Sequence, residues 1–242
     1  MSDRTVQDEV IRYLADAKVR AQKPRRAPIR AGEGAKATQF AHFLARRYYR
    51  DRLARSFRYS HRFRRQTGRI AEEVVEAEEF DRFLRQCVMG SLESARRVGE
   101  MARAHLSAAP QPGTWWQDLL DYEYAYLLQT ATAERGASFD RPSPGVSTVC
   151  RQFAWALPEM LPRLRAGETI CDDLRSEVTL LFSRTDTGRI YVVEVDRAIA
   201  RVFDATDGVR SVEEIAAWAE TNLQSAQRAL DALAGVGAVK VP

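Results

Sequence analysis

The chain has 242 residues, of which 45% are hydrophobic, and a formal net charge of +4 at pH 7. That length allows one large domain or two small ones, and the composition is that of an ordinary globular protein. No run nears the ~20 apolar residues of a membrane span, and the opening Met-Ser-Asp-Arg-Thr-Val lacks the apolar core of a signal peptide, so a cytoplasmic location is expected.

Val6 to Val19 predicts a first helix, with Val6, Val10, Ile11, Leu14 and Ala15 on one side. Arg20 to Gly34 mixes proline, glycine and basic residues without a period and predicts a linker or arm, so residues 1–35 form a first segment. From Thr38 to about Thr67 a long helix, broken once, is expected to pack through Phe40, Phe43, Leu44, Tyr48, Leu53 and Phe57. The same stretch carries Arg46, Arg47, Arg50, Arg52, Arg55, Arg58, Arg62, Arg64, Arg65 and Arg69, with Asp51 as the sole acid among them. Such density fits a polyanion, an acidic peptide or an acidic protein face, or else a solvated side paired with Glu72, Glu73, Glu76, Glu78, Glu79 and Asp81. The interleaved Tyr48, Tyr49, Phe57, Tyr59 and Phe63 are either a stacking surface or core.

A further helix is predicted from Ile70 to Leu106 with a break near Gly90. Its packing stripes are Phe80, Phe83, Leu84, Cys87 and Val88, then Leu92, Ala95, Val98, Met101 and Ala102. After a proline-containing loop, Thr114 caps an apolar helix running from Trp115 through Tyr126, with Glu123 as a core carboxylate or a polar contact. Gly136 to Gly145 is a loop, and Thr148 to Leu164 is expected to be a short helical region limited by Pro158 and Pro162. Residues 36–170 are thus expected to form a helical domain.

The last stretch, 171–242, changes period. Val178 to Ser183 and Arg189 to Val195 flank a turn holding Asp186 and Gly188, which predicts a β-hairpin. Its second strand is apolar on one side and nearly so on the other, so little of it need face water. A helix through Ala198, Ile199, Val202 and Phe203 ends at Asp207-Gly208. Ser211 and Glu214 form a capping box for the next, whose apolar face is Ile215, Ala216, Trp218 and Ala219. A third helix, Ser225 to Ala234, turns Ala226, Ala229, Leu230 and Leu233 inward, and Ala238 to Val241 is a closing strand. The fold class expected is α+β, an N-terminal helical bundle followed by a winged-helix-like module.

The pattern of a large apolar residue, Asp207-Gly208, Ser211-Val-Glu-Glu-Ile-Ala216 and then Leu-x-x-Leu-x-x-x-Gly resembles the PqqD-like recognition element of ribosomally made, post-translationally modified peptide (RiPP) pathways. The resemblance implies that the leader of a precursor peptide adds as a strand beside the hairpin and leans on the third helix. The residues placed there are Arg189, Ile190, Tyr191, Val192, Val193, Glu194 and Val195, with Gln227, Arg228, Leu230 and Asp231. Over its whole length, with Trp116-Gln-Asp-Leu-Leu-Asp-Tyr-Glu-Tyr-Ala125 and Ala156-Leu-Pro-Glu-Met-Leu161 ahead of the hairpin, the chain is similar to accessory proteins of multinuclear non-heme iron-dependent oxidative enzymes, of the TglI type in thiaglutamate biosynthesis. That similarity implies a non-catalytic subunit in a heterodimer, with the iron in the partner enzyme and no cofactor in this chain. Arg46, Arg47, Arg50, Arg58, Trp116, Tyr122 and Tyr126 are the residues expected to meet the enzyme.

The residues themselves carry no catalytic signature: there is no phosphate-binding loop, GxSxG or HExxH. Cys87, Cys150 and Cys171 are scattered without a CxxC, which argues against a disulfide framework and for buried free thiols. His42, His61 and His105 stand at no metal-ligand spacing. The third helix of the terminal module offers Gln224, Gln227, Arg228 and Asp231, too few donors for a helix that reads base edges, so nucleic acid is not expected there.

Overall fold

The computed structural model describes residues 31–131 and 140–241, with side chains from 39 onward. The predicted helix over 6–19 and most of the basic arm lie outside the described residues. The fold is α+β, and the chain divides into two compact units, Met1–Pro110 and Gln111–Pro242.

The first unit is helical throughout its described part. Helix α1, Ala31–Ser56, is followed by a 3-10 turn, Ser60–Phe63, and a single turn of helix α2, Arg64–Thr67. The predicted break therefore falls at Phe57 to Tyr59. A second 3-10 segment, Ala71–Glu76, leads into α3, Glu78–Leu84, and then α4, Leu92–Ser107. The stretch expected to be one helix from Ile70 to the break near Gly90 is thus two short pieces. The chain turns twice there to wrap α1, which packs on the 3-10 segment and α4.

The core stripe of α1 is Ala45, Tyr49 and Leu53, continued by Phe57 just past its end, repeating every four residues. Phe40 and Phe43, expected to join it, are 54% and 57% exposed. Tyr49 is the hub. Its ring meets Phe80 and Phe83 edge-on at 6.1 and 5.9 Å, and its hydroxyl accepts the Gly90 N–H at 3.4 Å. Burial, and then the neighbouring Cys87 thiol, hold that phenol strongly in its neutral form.

The second unit starts with α5, Trp116–Gln129, followed by β1, Ser143–Pro144, and β2, Val149–Phe153. Helix α6, Leu157–Ala166, has Pro158 in its first turn, where a missing N–H costs nothing, and runs through Pro162. Strands β3, Val178–Arg184, and β4, Ile190–Glu194, form the predicted hairpin. Helices α7, Arg197–Ala205, α8, Val212–Trp218, and α9, Leu223–Gly235, follow, and β5, Val239–Lys240, closes the chain.

The main sheet has the order β2-β3-β4, all antiparallel, and β5 pairs with β1 rather than with the hairpin. Of the stretch Thr148 to Leu164 expected to be helical, Val149–Phe153 is instead a strand in the hairpin's own sheet, and the helix begins at Leu157. A boundary at residue 170 would separate β2 from its partner β3. Val149–Phe153 is held as a strand by its pairing with β3, which local periodicity does not show.

Strand β3 is central and both its faces are covered. Leu181 packs with Val195, Val202, Ile215, Leu230 and Leu233 in the core formed by the three last helices. On the opposite face Phe182 meets the Tyr122 ring at 5.3 Å and Phe153 at 6.3 Å. The hairpin loop is three residues long, with Thr185 N–H bonded to Arg189 C=O and Gly188 at φ +86°. Gly237 is required twice over: its φ is +74°, and a Cβ there would lie 2.8 Å from the Arg184 carbonyl oxygen. Asp118 on α5 accepts the N–H groups of Ala154 and Trp155 at 2.7 and 3.0 Å, fixing the end of β2. Burial, ahead of those two bonds, leaves its carboxyl above the usual range.

Candidate functional site

The free margin of β4 is set by the hydrogen-bond alternation of an antiparallel ladder. Val195 N–H bonds to Thr179 C=O at 3.0 Å and Thr185 N–H to Arg189 C=O at 3.0 Å. With Leu181 opposite Val193 and Ser183 opposite Tyr191, the main-chain groups of Arg189, Tyr191, Val193 and Val195 turn toward β3. Those of Ile190, Val192 and Glu194 turn away from it. Among the described residues β4 pairs only with β3, so these three residues present an open row of N–H and C=O groups.

The side chains of this margin are unusual for an edge. Ile190, Tyr191, Val192 and Val193 are all half-buried, four consecutive apolar residues with water on part of each. The expectation that little of this strand faces water does not hold; an edge strand has a neighbour on one side only. Tyr191 carries the Arg189 guanidinium 4.8 Å from its ring centroid, and Val193 packs against the core of the three helices. Arg189 and Glu194 are exposed at the two ends.

The helix residues placed beside the strand divide. Gln227, Arg228 and Asp231 are exposed, and the Gln227 amide donates to the Asp231 carboxylate at 2.9 Å. Leu230 is fully buried in the core and offers a peptide nothing. Val195 is buried as well. Trp218, expected on the inner face of α8, is 48% exposed with the Arg210 guanidinium 5.7 Å from its ring. Ile215, Ala216 and Ala219, with the half-buried Val212, supply the inner face.

A cleft of about 690 Å³ opens near the end of β4, between the sheet and α7. It is lined by Cys150 and Arg151 of β2, Thr179 of β3, Glu194 and Asp204 among others. Sequence reading missed it, because β2 was not recognised. Arg151 is held by Asp121 at 2.7 Å, and Arg201 by Glu220 at 2.8 Å. Burial, and then the charge of Asp204, push the Cys150 thiol up to about 11, so it is a neutral half-buried group. Cys87 is buried and Cys171 is exposed, so the three thiols do not share the buried state expected of them.

The residues expected to meet a partner enzyme also separate. Trp116 and Tyr122 are buried in the core of the second unit and belong to no surface, while Tyr126 is half-buried. In the first unit Arg46 is bonded to the Asp81 carboxylate and the Val75 carbonyl, and Arg50 to Glu76. These two arginines are paired with the acidic run, as one of the two sequence readings held. Arg47 and Arg58 are exposed, with Arg58 lying over the Tyr59 ring at 4.9 Å. Of the aromatics in this stretch, Tyr49, Phe57 and Tyr59 are core.

A second cleft in the first unit, about 480 Å³, holds His105 and Glu73, whose side chains bond at 2.9 Å. Arg69 donates to the His105 carbonyl at 2.7 Å. Partial burial raises the Glu73 carboxyl, but bonds from His105 and the Ile70 N–H, with the His105 and Arg69 charges, outweigh it and leave the group below its ordinary value. A separation of thirty-two positions along the chain hid this pair from sequence spacing. Among the described residues no three His, Cys, Asp or Glu side chains converge on a metal position, and no helix is long and apolar enough to cross a membrane.

Fold and margin together define an α+β protein with an apolar sheet edge open to strand addition. No protein-family model and no curated protein matches the chain.

Proposed function

We propose that this chain binds an extended peptide along β4 and acts as a non-catalytic presenting subunit. The observation that carries this is the open main-chain row of Ile190, Val192 and Glu194 on a strand whose apolar side chains are half-exposed. An added strand completes the row with main-chain bonds, and the alternate side chains of the margin select its sequence. The three-stranded sheet followed by three helices supports a winged-helix-like recognition element, and the resemblance in the terminal stretch supports a RiPP precursor peptide as the ligand. On the same resemblance, the partner is a multinuclear non-heme iron oxidative enzyme. Holding the peptide raises its effective concentration at that enzyme's metals. A nucleic-acid regulator is disfavoured, since Arg228 is the sole basic side chain on α9.

The test is a selection of displayed random peptides on the full chain, followed by amide exchange of the chain with and without the peptides recovered. Slowed exchange at Ile190, Val192 and Glu194, with little change at the already bonded Tyr191 and Val193, is the expected result. Peptides that bind tightly and slow exchange only elsewhere would refute strand addition.

A further inference from the structure

Several arginines of the first unit are already engaged. Arg46, Arg50 and Arg69 are bonded within the unit, to Asp81 and Val75, to Glu76 and to His105. The 3-10 turn and α2 bring His61, Arg62, Arg64 and Arg65 around a shallow concavity of about 440 Å³, and those four cation-forming residues are its whole lining. All four are exposed. Arg64 and Arg65 have no carboxylate partner among the described residues. The turn exists because Phe57 and Tyr59 are pulled into the core, which stops α1 and throws the next residues outward.

From this concavity we infer a docking surface for an acidic polypeptide face. It stands on the first unit and does not depend on peptide capture by β4. Guanidinium groups at close quarters repel one another, and the arrangement is relieved when carboxylates enter between them, each held by two parallel N–H donors. The alternative polyanion is nucleic acid, and two observations count against it. Single strands need exposed rings on which bases stack, and here Tyr59 is buried and Phe63 is half-buried. A duplex needs cations spaced along a phosphate ladder, whereas these four sit on two adjoining turns and line a hollow. A few carboxylates projecting from a protein surface fit that hollow. The arginines expected from the sequence to meet a partner were Arg46, Arg47, Arg50 and Arg58; Arg46 and Arg50 are paired within the unit, and the concavity lies farther along the chain.

The experiment uses the full chain and two probes, fluorescent poly-L-glutamate and a short mixed-sequence DNA duplex, by anisotropy over a range of salt. The variants are Arg64→Glu/Arg65→Glu, the neutral Arg64→Gln/Arg65→Gln, and Arg82→Glu/Arg85→Glu, which alters exposed arginines elsewhere by the same charge. The expected result is poly-L-glutamate binding that weakens with salt, falls roughly tenfold or more in the Glu pair, falls partway in the Gln pair, and changes little in the Arg82/Arg85 control. Equal losses in the control and in Arg64→Glu/Arg65→Glu mean general charge, and overturn the inference. Tighter binding of the duplex than of poly-L-glutamate, lost in the same variants, also overturns it. If the Glu pair alters circular dichroism, the Gln pair decides. Val192→Pro, in the other unit, should leave poly-L-glutamate binding unchanged, which separates this surface from the β4 margin.

Discussion

Replacing Val192 with proline tests the main-chain row directly. Val192 N–H points away from β3, so the substitution removes no bond of the existing ladder. Proline on an edge strand with its nitrogen toward solvent is tolerated, and fixing φ costs about 1 kcal/mol or less of stability. For an added peptide the change is larger. The middle N–H of the row is gone, a net loss of about 1 kcal/mol, and the peptide carbonyl that would face it is left unpaired at a further ~1–2 kcal/mol. Together these predict peptide affinity lower by roughly 30- to 100-fold, since about 1.4 kcal/mol is tenfold. Val192→Ala keeps the N–H and is expected to lose only the contact of a half-exposed side chain, a few-fold. Val193→Pro removes a bond to Leu181 and breaks the sheet, at about 3 kcal/mol or more. The assay is fluorescence polarisation of a peptide selected on the wild-type chain, with urea unfolding of each variant. Unchanged affinity in Val192→Pro, with a fold still intact, would refute strand addition at β4.

Leu230→Ala should cost about 3 kcal/mol, because the residue is fully buried among Leu181, Ile215 and Leu233, while the exposed Arg228→Ala should shift stability by under about 0.5 kcal/mol. Urea midpoints followed by tryptophan fluorescence check both, and a loss near zero for Leu230→Ala would return that residue to the peptide surface. Glu73→Gln should destabilise the first unit near neutral pH and not in acid. The Glu73 carboxyl lies below its ordinary 4.5 in the folded state, so its contribution is present above about 4.5 and is lost as pH falls through the lower folded value. Unfolding of wild type and variant at about pH 6 and about pH 3 should show the gap closing in acid; a gap that widens would mean that the His105 contact is unimportant.

The elements of the terminal module were legible because their signals are local. Ser211 and Glu214 close a capping box at 2.7 and 3.3 Å, and Asp196 and Asn222 cap their helices at 2.8 Å each. Two β-rich runs around Asp186 and Gly188 mark the hairpin without any long-range information. What could not be read was the third strand, since Val149–Phe153 is made a strand by its partner β3, about thirty residues on. That omission shifted the domain boundary and concealed the cleft beside α7. Periodicity turned Leu230 inward, as it is; the contact roles of Leu230, Trp116 and Tyr122 came from the resemblance, and all three are core. Periodicity assigns a side chain to a face but does not say how deep the face lies, so Phe40, Phe43 and Trp218 appeared to be core when they are exposed.

The division of β3 from β4 follows from the same physics. Strand β3 buries both faces because Leu181 packs on the three-helix core and Phe182 against Tyr122 and Phe153, and from Val178 to Ser183 only Thr179 keeps partial exposure. Strand β4, at the edge of the same sheet, is less covered, and Ile190 to Val193 stay partly wet. Edge strands are ordinarily protected by an inward charge, a bulge or a covering segment. Among the described residues β4 has none of these; its charges, Arg189 and Glu194, stand at its two ends. Protection at the ends with an apolar middle leaves about four residues, or roughly 13 Å of strand, open to one partner strand. That length is enough for a peptide to be fixed in register by alternate side chains and too short to template a wide sheet, so it favours a single bound segment over self-association.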